Sequence, residues 1–355
     1  MEFVRKNLSA EFTSHSKFST HHFGTVFIRL LLLTSIIFSL RPLVWSQDIS
    51  IEKAPGQPGF TIENADVTDL SGITWSGGDQ FYAVADHPNL LVPITLKIDP
   101  ATGCILHGEI GTAVPIKATV SDFEGVTYVK ATKTFYISAE TGNAVISYQL
   151  GGAAQLQPVP KIFSKARNNL SLESITWNDK DAHFWIANEE ALTVDGPVSG
   201  AKGTLVRIQQ LDAKFHPLMQ YAWHTEPAAF RFQGSGNGVS DLCLLPDGRL
   251  IVLERGFAFG GLHVRLFLAD FKGATDISNL PSLVDADFVP AKKSLLYDAM
   301  TGFINFEGIA LGPTLEDGSR SLILIADSNS GHVHSFLPLK LHLGTPAPPQ
   351  QGQTK

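Results

Sequence analysis

The chain has 355 residues, is 44% hydrophobic and carries a formal net charge of −7. That balance argues against a nucleic-acid-binding surface, while the apolar share is enough for a sizeable core. Two cysteines cannot supply a disulfide framework, so packing must hold the fold together.

Residues 1–46 read as a targeting segment and are set apart from the fold. Arg5, Lys6, Lys17 and Arg29 precede an apolar run at 30–40, and Val44-Trp-Ser46 offers a signal-peptidase site before Gln47. The run is short for a membrane span, and an uncleaved anchor starting near Thr25 is the alternative. The expectation is an exported protein, secreted or periplasmic, that touches a membrane only through such an anchor.

A short predicted strand at 59–63 precedes five copies of one phrase. They are Asp69-Leu-Ser-Gly-Ile-Thr-Trp75, Asp122-Phe-Glu-Gly-Val-Thr-Tyr128, Ser171-Leu-Glu-Ser-Ile-Thr-Trp177, Gly238-Val-Ser-Asp-Leu-Cys-Leu244 and Asn305-Phe-Glu-Gly-Ile-Ala-Leu311. After a turn, each is followed by an apolar run ending in an acid: Asp86, Glu140, Glu189, Glu254 and Asp327. Self-similarity of this kind predicts a repeat architecture, and turn residues between two β-rich runs predict a hairpin per copy. Third strands are expected at 92–98, 144–150, 205–211, 264–271 and 332–337. Weaker fourth strands are expected at 105–110, 159–163, 218–224 and 294–298.

The last copy has no fourth strand of its own before the Pro- and Gln-rich tail at 344–355. Pairing 59–63 with 332–337 would complete it and hide the open edges of a linear array. The chain therefore reads as one all-β domain over 47–343, a β-propeller of five blades. The intervals between the last three copies are the longest. They imply insertions at 192–202, 226–236 and 274–290, and a degenerate sixth blade is the alternative.

Antiparallel pairing sets the start of each first strand beside the end of its second. The slot residues Glu124, Glu173 and Glu307, with Asp69, Asp122 and Asp241 nearby, thus adjoin the closing acids Asp86, Glu140, Glu189, Glu254 and Asp327. Ser71 and Ser240 fill the slot in the other two copies. In a propeller these ends converge on one channel mouth. Grouped carboxylates must protonate, pair with a base or bind metal. Oxygen donors with few His and no Cys suit Ca²⁺, with Mg²⁺ second. The expected metal ligands are Asp86, Glu124, Glu140, Glu173, Glu189, Glu254, Glu307 and Asp327. The expected catalytic groups are Arg255, as a fork for an anion, with Glu254 and Glu124. Hairpin acids also cap turns, and Arg255 would equally form an internal salt bridge. Gly238-Val-Ser-Asp-Leu242 is not a nucleophile elbow, and the histidines show no ligand spacing. Cys243 reads as a buried thiol.

Three stretches carry a resemblance to a known family: 238–255, 305–313 with 322–329, and Leu70-Ser-Gly-Ile73 with Val84-Ala-Asp86. Over 66–339 the chain resembles the phytase-like proteins with an "esterase-like activity of phytase" domain. The resemblance implies an exported β-propeller that hydrolyses phosphate esters. The chain departs from the pattern at Glu173-Ser174, where Glu-Gly is usual, and offers no Lys and Arg set to grip a highly phosphorylated inositol. The expected function is a calcium-dependent hydrolase of a phosphate or carboxylic ester, its partner a small anionic ester. The alternative is a non-catalytic propeller that binds a ligand or protein around a structural calcium ion.

Overall fold

The computed structural model describes residues 49–228, 236–328 and 331–344. The targeting segment, its cleavage site, Asn329 and the tail beyond Gly344 lie outside the described residues. So does most of the predicted insertion at 226–236.

Two short strands come first, β1 (Ser50–Lys53) and β2 (Phe60–Glu63). The first repeat forms β3 (Leu70–Gly77), β4 (Gln80–Ala85), β5 (Leu90–Ile98) and β6 (Ile105–Ile110), with β7 (Val114–Pro115) added to β5. The second forms β8 (Phe123–Val129), β9 (Thr134–Ala139), β10 (Ala144–Tyr148) and β11 (Gln155–Gln157). The third forms β12 (Leu172–Asn178), β13 (His183–Asn188), β14 (Leu205–Asp212) and β15 (Pro217–His224). The fourth forms β16 (Gly236–Leu244), β17 (Leu250–Ala258), β18 (Gly261–Asp270) and β19 (Lys292–Gly302). The fifth forms β20 (Asn305–Thr314), β21 (Arg320–Asp327) and β22 (Val333–His342).

Each repeat is one antiparallel sheet, and the fold is a five-bladed β-propeller. First strands line the channel, with β3 beside β8, β8 beside β12, β12 beside β16, β16 beside β20 and β20 back beside β3. Closure follows the expectation and goes further. Phe60 pairs with Phe336 and Ile62 with His334, while β1 extends the same edge, Ser50 pairing with His342. The second blade departs from the expectation: its fourth strand is Gln155–Gln157, and Lys161–Lys165 is a 3-10 turn. Pro158 and Pro160 explain this, since neither can donate to a ladder, and the turn drives Phe163 fully into the core.

A separate apolar layer fills each of the five clefts. Phe81 packs with Phe336 between the fifth and first blades, Phe123 with Phe135 between the first and second, and Phe163 with Phe184 between the second and third. Trp223 and Val252 occupy the next cleft, and Leu253 and Leu324 the last. Fully burying one such side chain stabilises by about 1.5–3 kcal/mol. First strands approach one another closely: a Cβ on Gly72 would lie 2.3 Å from the Glu124 carbonyl oxygen, and one on Gly308 would lie 2.5 Å from that of Ser71. The longer intervals hold insertions rather than a sixth sheet among the described residues. One is anchored by Asp195, whose carboxylate takes the buried Arg207 guanidinium in a fork of 2.6 and 2.7 Å.

At the C-terminal ends of the first strands the channel opens into a cavity of about 380 Å³. Trp75, Tyr128 and Trp177 ring it, with Thr74, Thr127 and Thr176 beneath. Trp177 packs on Phe184 at 4.5 Å, and the Arg320 guanidinium lies 5.6 Å from the centre of the Trp75 ring.

Candidate functional site

The opposite mouth owes its chemistry to a defect repeated five times. Every pairing of first and second strands loses register at the slot residue: between Leu70 and Ile73, Phe123 and Val126, Leu172 and Ser174, Val239 and Asp241, and Phe306 and Gly308. A bulge frees one residue from the ladder and re-aims its side chain. The residues released are Ser71, Glu124, Glu173, Ser240 and Glu307. Ser71 Oγ donates to Glu124 Oε2 at 2.7 Å, linking adjacent blades.

Register also corrects one assignment made from spacing. Ala85, Ala139, Asn188 and Ala326 pair with Leu70, Phe123, Leu172 and Phe306, the residues just before each bulge. In the fourth blade the residue before the bulge is Val239, and its partner is Glu254. The position matching Asp86, Glu140, Glu189 and Asp327 is therefore Arg255, and Glu254 is one step short. It points to the other side of the sheet, fully buried. There it accepts from Trp223 Nε1 (2.9 Å), the Glu226 amide (2.9 Å), Asn237 Nδ2 (2.7 Å) and Lys293 Nζ (3.0 Å). A carboxylate satisfied in this way is a structural tie and has no place in the mouth. Asp241 is likewise a tie: it accepts from its neighbour Leu242 and, across to the next blade, from the Ile309 amide at 2.8 Å.

The remaining expected residues converge. Asp86, Glu124, Glu140, Glu173, Glu189, Arg255, Glu307 and Asp327 all line one cavity of about 390 Å³, together with Asp69, Ser71 and Asp122. Carboxylate oxygens of Glu140, Glu173 and Glu189 lie within 4.8 Å of one another, and so do ligand atoms of Asp86, His87 and Asp122. Arg255 Nη2 reaches Glu307 Oε1 at 3.1 Å and Glu189 Oε1 at 3.3 Å. Asn305 donates to Glu307 Oε1 at 2.7 Å.

Such crowding shifts protonation. Burial, reinforced by Glu124, Glu189 and Glu140, holds the Glu173 carboxyl well above the ordinary range. Burial and the charge of Glu307 do the same to Glu124, against the Ser71 hydrogen bond. Burial lifts Glu140 to about 7 despite the Ser171 amide, and lifts Glu307 to about 7 despite Arg255. Burial also opposes the guanidinium charge of Arg255, yet Glu307, Glu189, Glu173 and Glu124 more than offset it and hold that charge firmly. Among the described residues the mouth thus holds carboxyls poised to release protons near neutrality around one permanent cation, Arg255.

Sequence reasoning missed Glu190, Asn237 and Phe257, which also line the cavity. Glu190 stood in plain view as the second half of a Glu-Glu doublet. Phe257 follows Arg255 by two residues along a strand, the period that puts both on one face. Cys243 is buried as expected, its thiol pushed up to about 12 by burial.

The family described as "Phytase-like: Esterase-like activity of phytase" matches residues 65–330, and the chain belongs to it. No curated protein matches the sequence. Among solved structures, a nidogen/laminin complex aligns at 9% identity over 78% of this chain and 88% of that one, with a TM-score of 0.39. Virginiamycin B lyase from Staphylococcus aureus aligns at 12% identity over 81% and 73%, with a TM-score of 0.35. The tail fibre of Staphylococcus aureus phage P68 aligns at 10% identity over 84% and 54%, with a TM-score of 0.44.

Proposed function

We propose that the protein is an exported, calcium-dependent hydrolase of phosphate or carboxylic esters, with its site at the acidic mouth. The observation that carries this reading is the pairing, among the described residues, of an all-oxygen donor set with a single fixed cation in one cavity. Glu140, Glu173 and Glu189 offer hard oxygen ligands from neighbouring strands, and Asp86 with Asp122 offers a second set beside His87. The donors fit Ca²⁺ better than Mg²⁺, which demands a stricter octahedron. Calcium held there supplies Lewis-acid polarisation of the ester.

The chain's own groups do the rest. Arg255, oriented by Glu307 and Glu189, binds the anionic head and stabilises charge that develops on it. Glu124, held by Ser71 at the adjoining bulge, is placed to take a proton from water once its own, held by burial and Glu307, has been released. Glu307, with a pKa of about 7, is suited to return one to the leaving oxygen. Family membership supports hydrolysis, and the basic and apolar run at 5–40 supports export.

A second reading is favoured by the same two ion pairs of Arg255: a non-catalytic propeller in which that residue knits the mouth around a structural calcium ion. One experiment separates them. The chain from Gln47 is screened against phosphomonoesters and carboxylic esters with and without calcium, while calcium binding is followed by titration. Turnover that disappears on chelation supports the hydrolase. Calcium binding with no turnover of any ester leaves the binder, and absence of calcium binding sinks both.

A further inference from the structure

The fourth blade carries a feature that the others lack. In them the second strand stops at or just before the closing acid, whereas β17 continues past Arg255 to Ala258. Phe257 stands on this extension. It is 43% exposed and is the one aromatic side chain among the described residues lining the acidic cavity.

Pairing stays regular from Glu254 to Phe257, so Arg255 and Phe257 point the same way, roughly 7 Å apart along the strand. Their partners on β16 are Gly238 and Gly236, so no side chain from that strand covers them. On the other side Phe257 pairs with the half-buried Leu262, which continues the apolar surface outward. Among the described residues the remaining charged lining groups are carboxyls, which repel any further negative charge on a ligand.

We propose that the site takes esters with one anionic head and an apolar organic group, and that Phe257 is the specificity-determining residue that receives this group. The inference rests on the hydrolase reading and names its substrate class. An anion seated on the Arg255 fork directs its organic substituent along the strand and onto the Phe257 ring. Burial of that apolar area favours such esters over purely polar ones.

The test compares 2-naphthyl phosphate with glycerol phosphate, both with calcium, on wild type, Phe257→Ala and Phe257→Leu. The aryl ester is also the more reactive, so the readout is the ratio of each variant to wild type. Phe257→Ala is expected to raise KM for naphthyl phosphate about tenfold with kcat nearly unchanged, and to leave glycerol phosphate kinetics as they were. Phe257→Leu retains part of the preference and guards against a folding artefact. Equal effects on both esters overturn the inference. If neither ester is turned over, the hydrolase reading has failed, and calorimetric titration of naphthyl phosphate against inorganic phosphate judges the inference alone. Naphthyl phosphate binding about tenfold more tightly, with the gap closed by Phe257→Ala, upholds it. Equal affinities, or binding of neither, overturns it.

Discussion

Two mouths of one channel are made by the same five strands, and they differ in nearly every respect. At the C-terminal ends Trp75, Tyr128 and Trp177 stay in register with Phe81, Phe135 and Phe184, and only two ladders slip, after Trp75 and after Leu311. At the N-terminal ends all five ladders slip and release three glutamates and two serines from the pairing. At the aromatic mouth the repeated side chains go to packing, and at the bulged strand starts they go to polar and charged groups. Stability and chemistry should therefore respond separately to substitution at the two ends.

The sharpest break would come from the acidic end. On the proposed reading, replacing Glu140 and Glu173 together by Gln is expected to lower calcium-dependent turnover roughly a thousandfold, because the buried triad would lose two of its three proposed ligands. The same double variant should melt higher than wild type in chelator, since two costly buried acids are gone. Loss of turnover with unaltered calcium affinity would place the metal elsewhere.

Next comes the fourth blade, where two adjacent residues should behave in opposite ways. Arg255→Ala is expected to cut turnover about a hundredfold with little change in melting, as when a preorganised electrostatic contact is lost. Glu254→Gln should destabilise by roughly 2 kcal/mol and leave activity per folded molecule intact, because its hydrogen bonds are structural. Kinetics beside thermal melts on both variants decide between these outcomes, and a reversal would restore the assignment made from spacing.

At the aromatic end, Trp177→Ala should cost roughly 2 kcal/mol through lost packing on Phe184. Turnover at saturating substrate should not move. A fall in kcat there would mean that the two mouths are coupled along the channel.

The smallest effect is a slope with pH. Glu140 and Glu307 sit at about 7 when folded, against an ordinary value of 4.5. Between these values the folded protein holds more protons than the unfolded chain, so their contribution is full below pH 4.5 and is lost as pH rises to 7. Metal-free protein is thus expected to melt a few degrees higher at pH 5 than at pH 8. Calcium at the proposed site would compete with those protons, so the added stability it confers should grow as pH rises through 7. Melting curves with chelator and with calcium across this range measure both trends.

Much of the ring was legible beforehand because a propeller repeats its spacing. Gly and Pro at turns, apolar runs of strand length and a strand without a partner at 59–63 set five blades and their closure. The strand at 50–53 was not legible: Ser-Ile-Glu-Lys alternates too weakly to announce itself, and only the long exposed edge of β22 gives it a role. The acids of four repeats were found from their recurrence. Glu254 misled because register, not distance along the chain, decides which face a residue occupies, and shifting by one residue inverts it. Phe257 was overlooked because an aromatic two residues past the site looks like any other strand residue until the extension of β17 is seen.

The closure of the ring also sets an order of events. The edge strands β1 and β2 are the first parts of the domain to be synthesised, and the only strand that pairs with them among the described residues, β22, is the last. Four blades can assemble from contacts local in sequence, whereas the fifth must join segments from opposite ends of the chain, with the larger entropy that closing so long a loop entails. A nascent chain arrested before residue 333 would hold four blades and two orphan strands, and the mouth that needs all five would not yet exist.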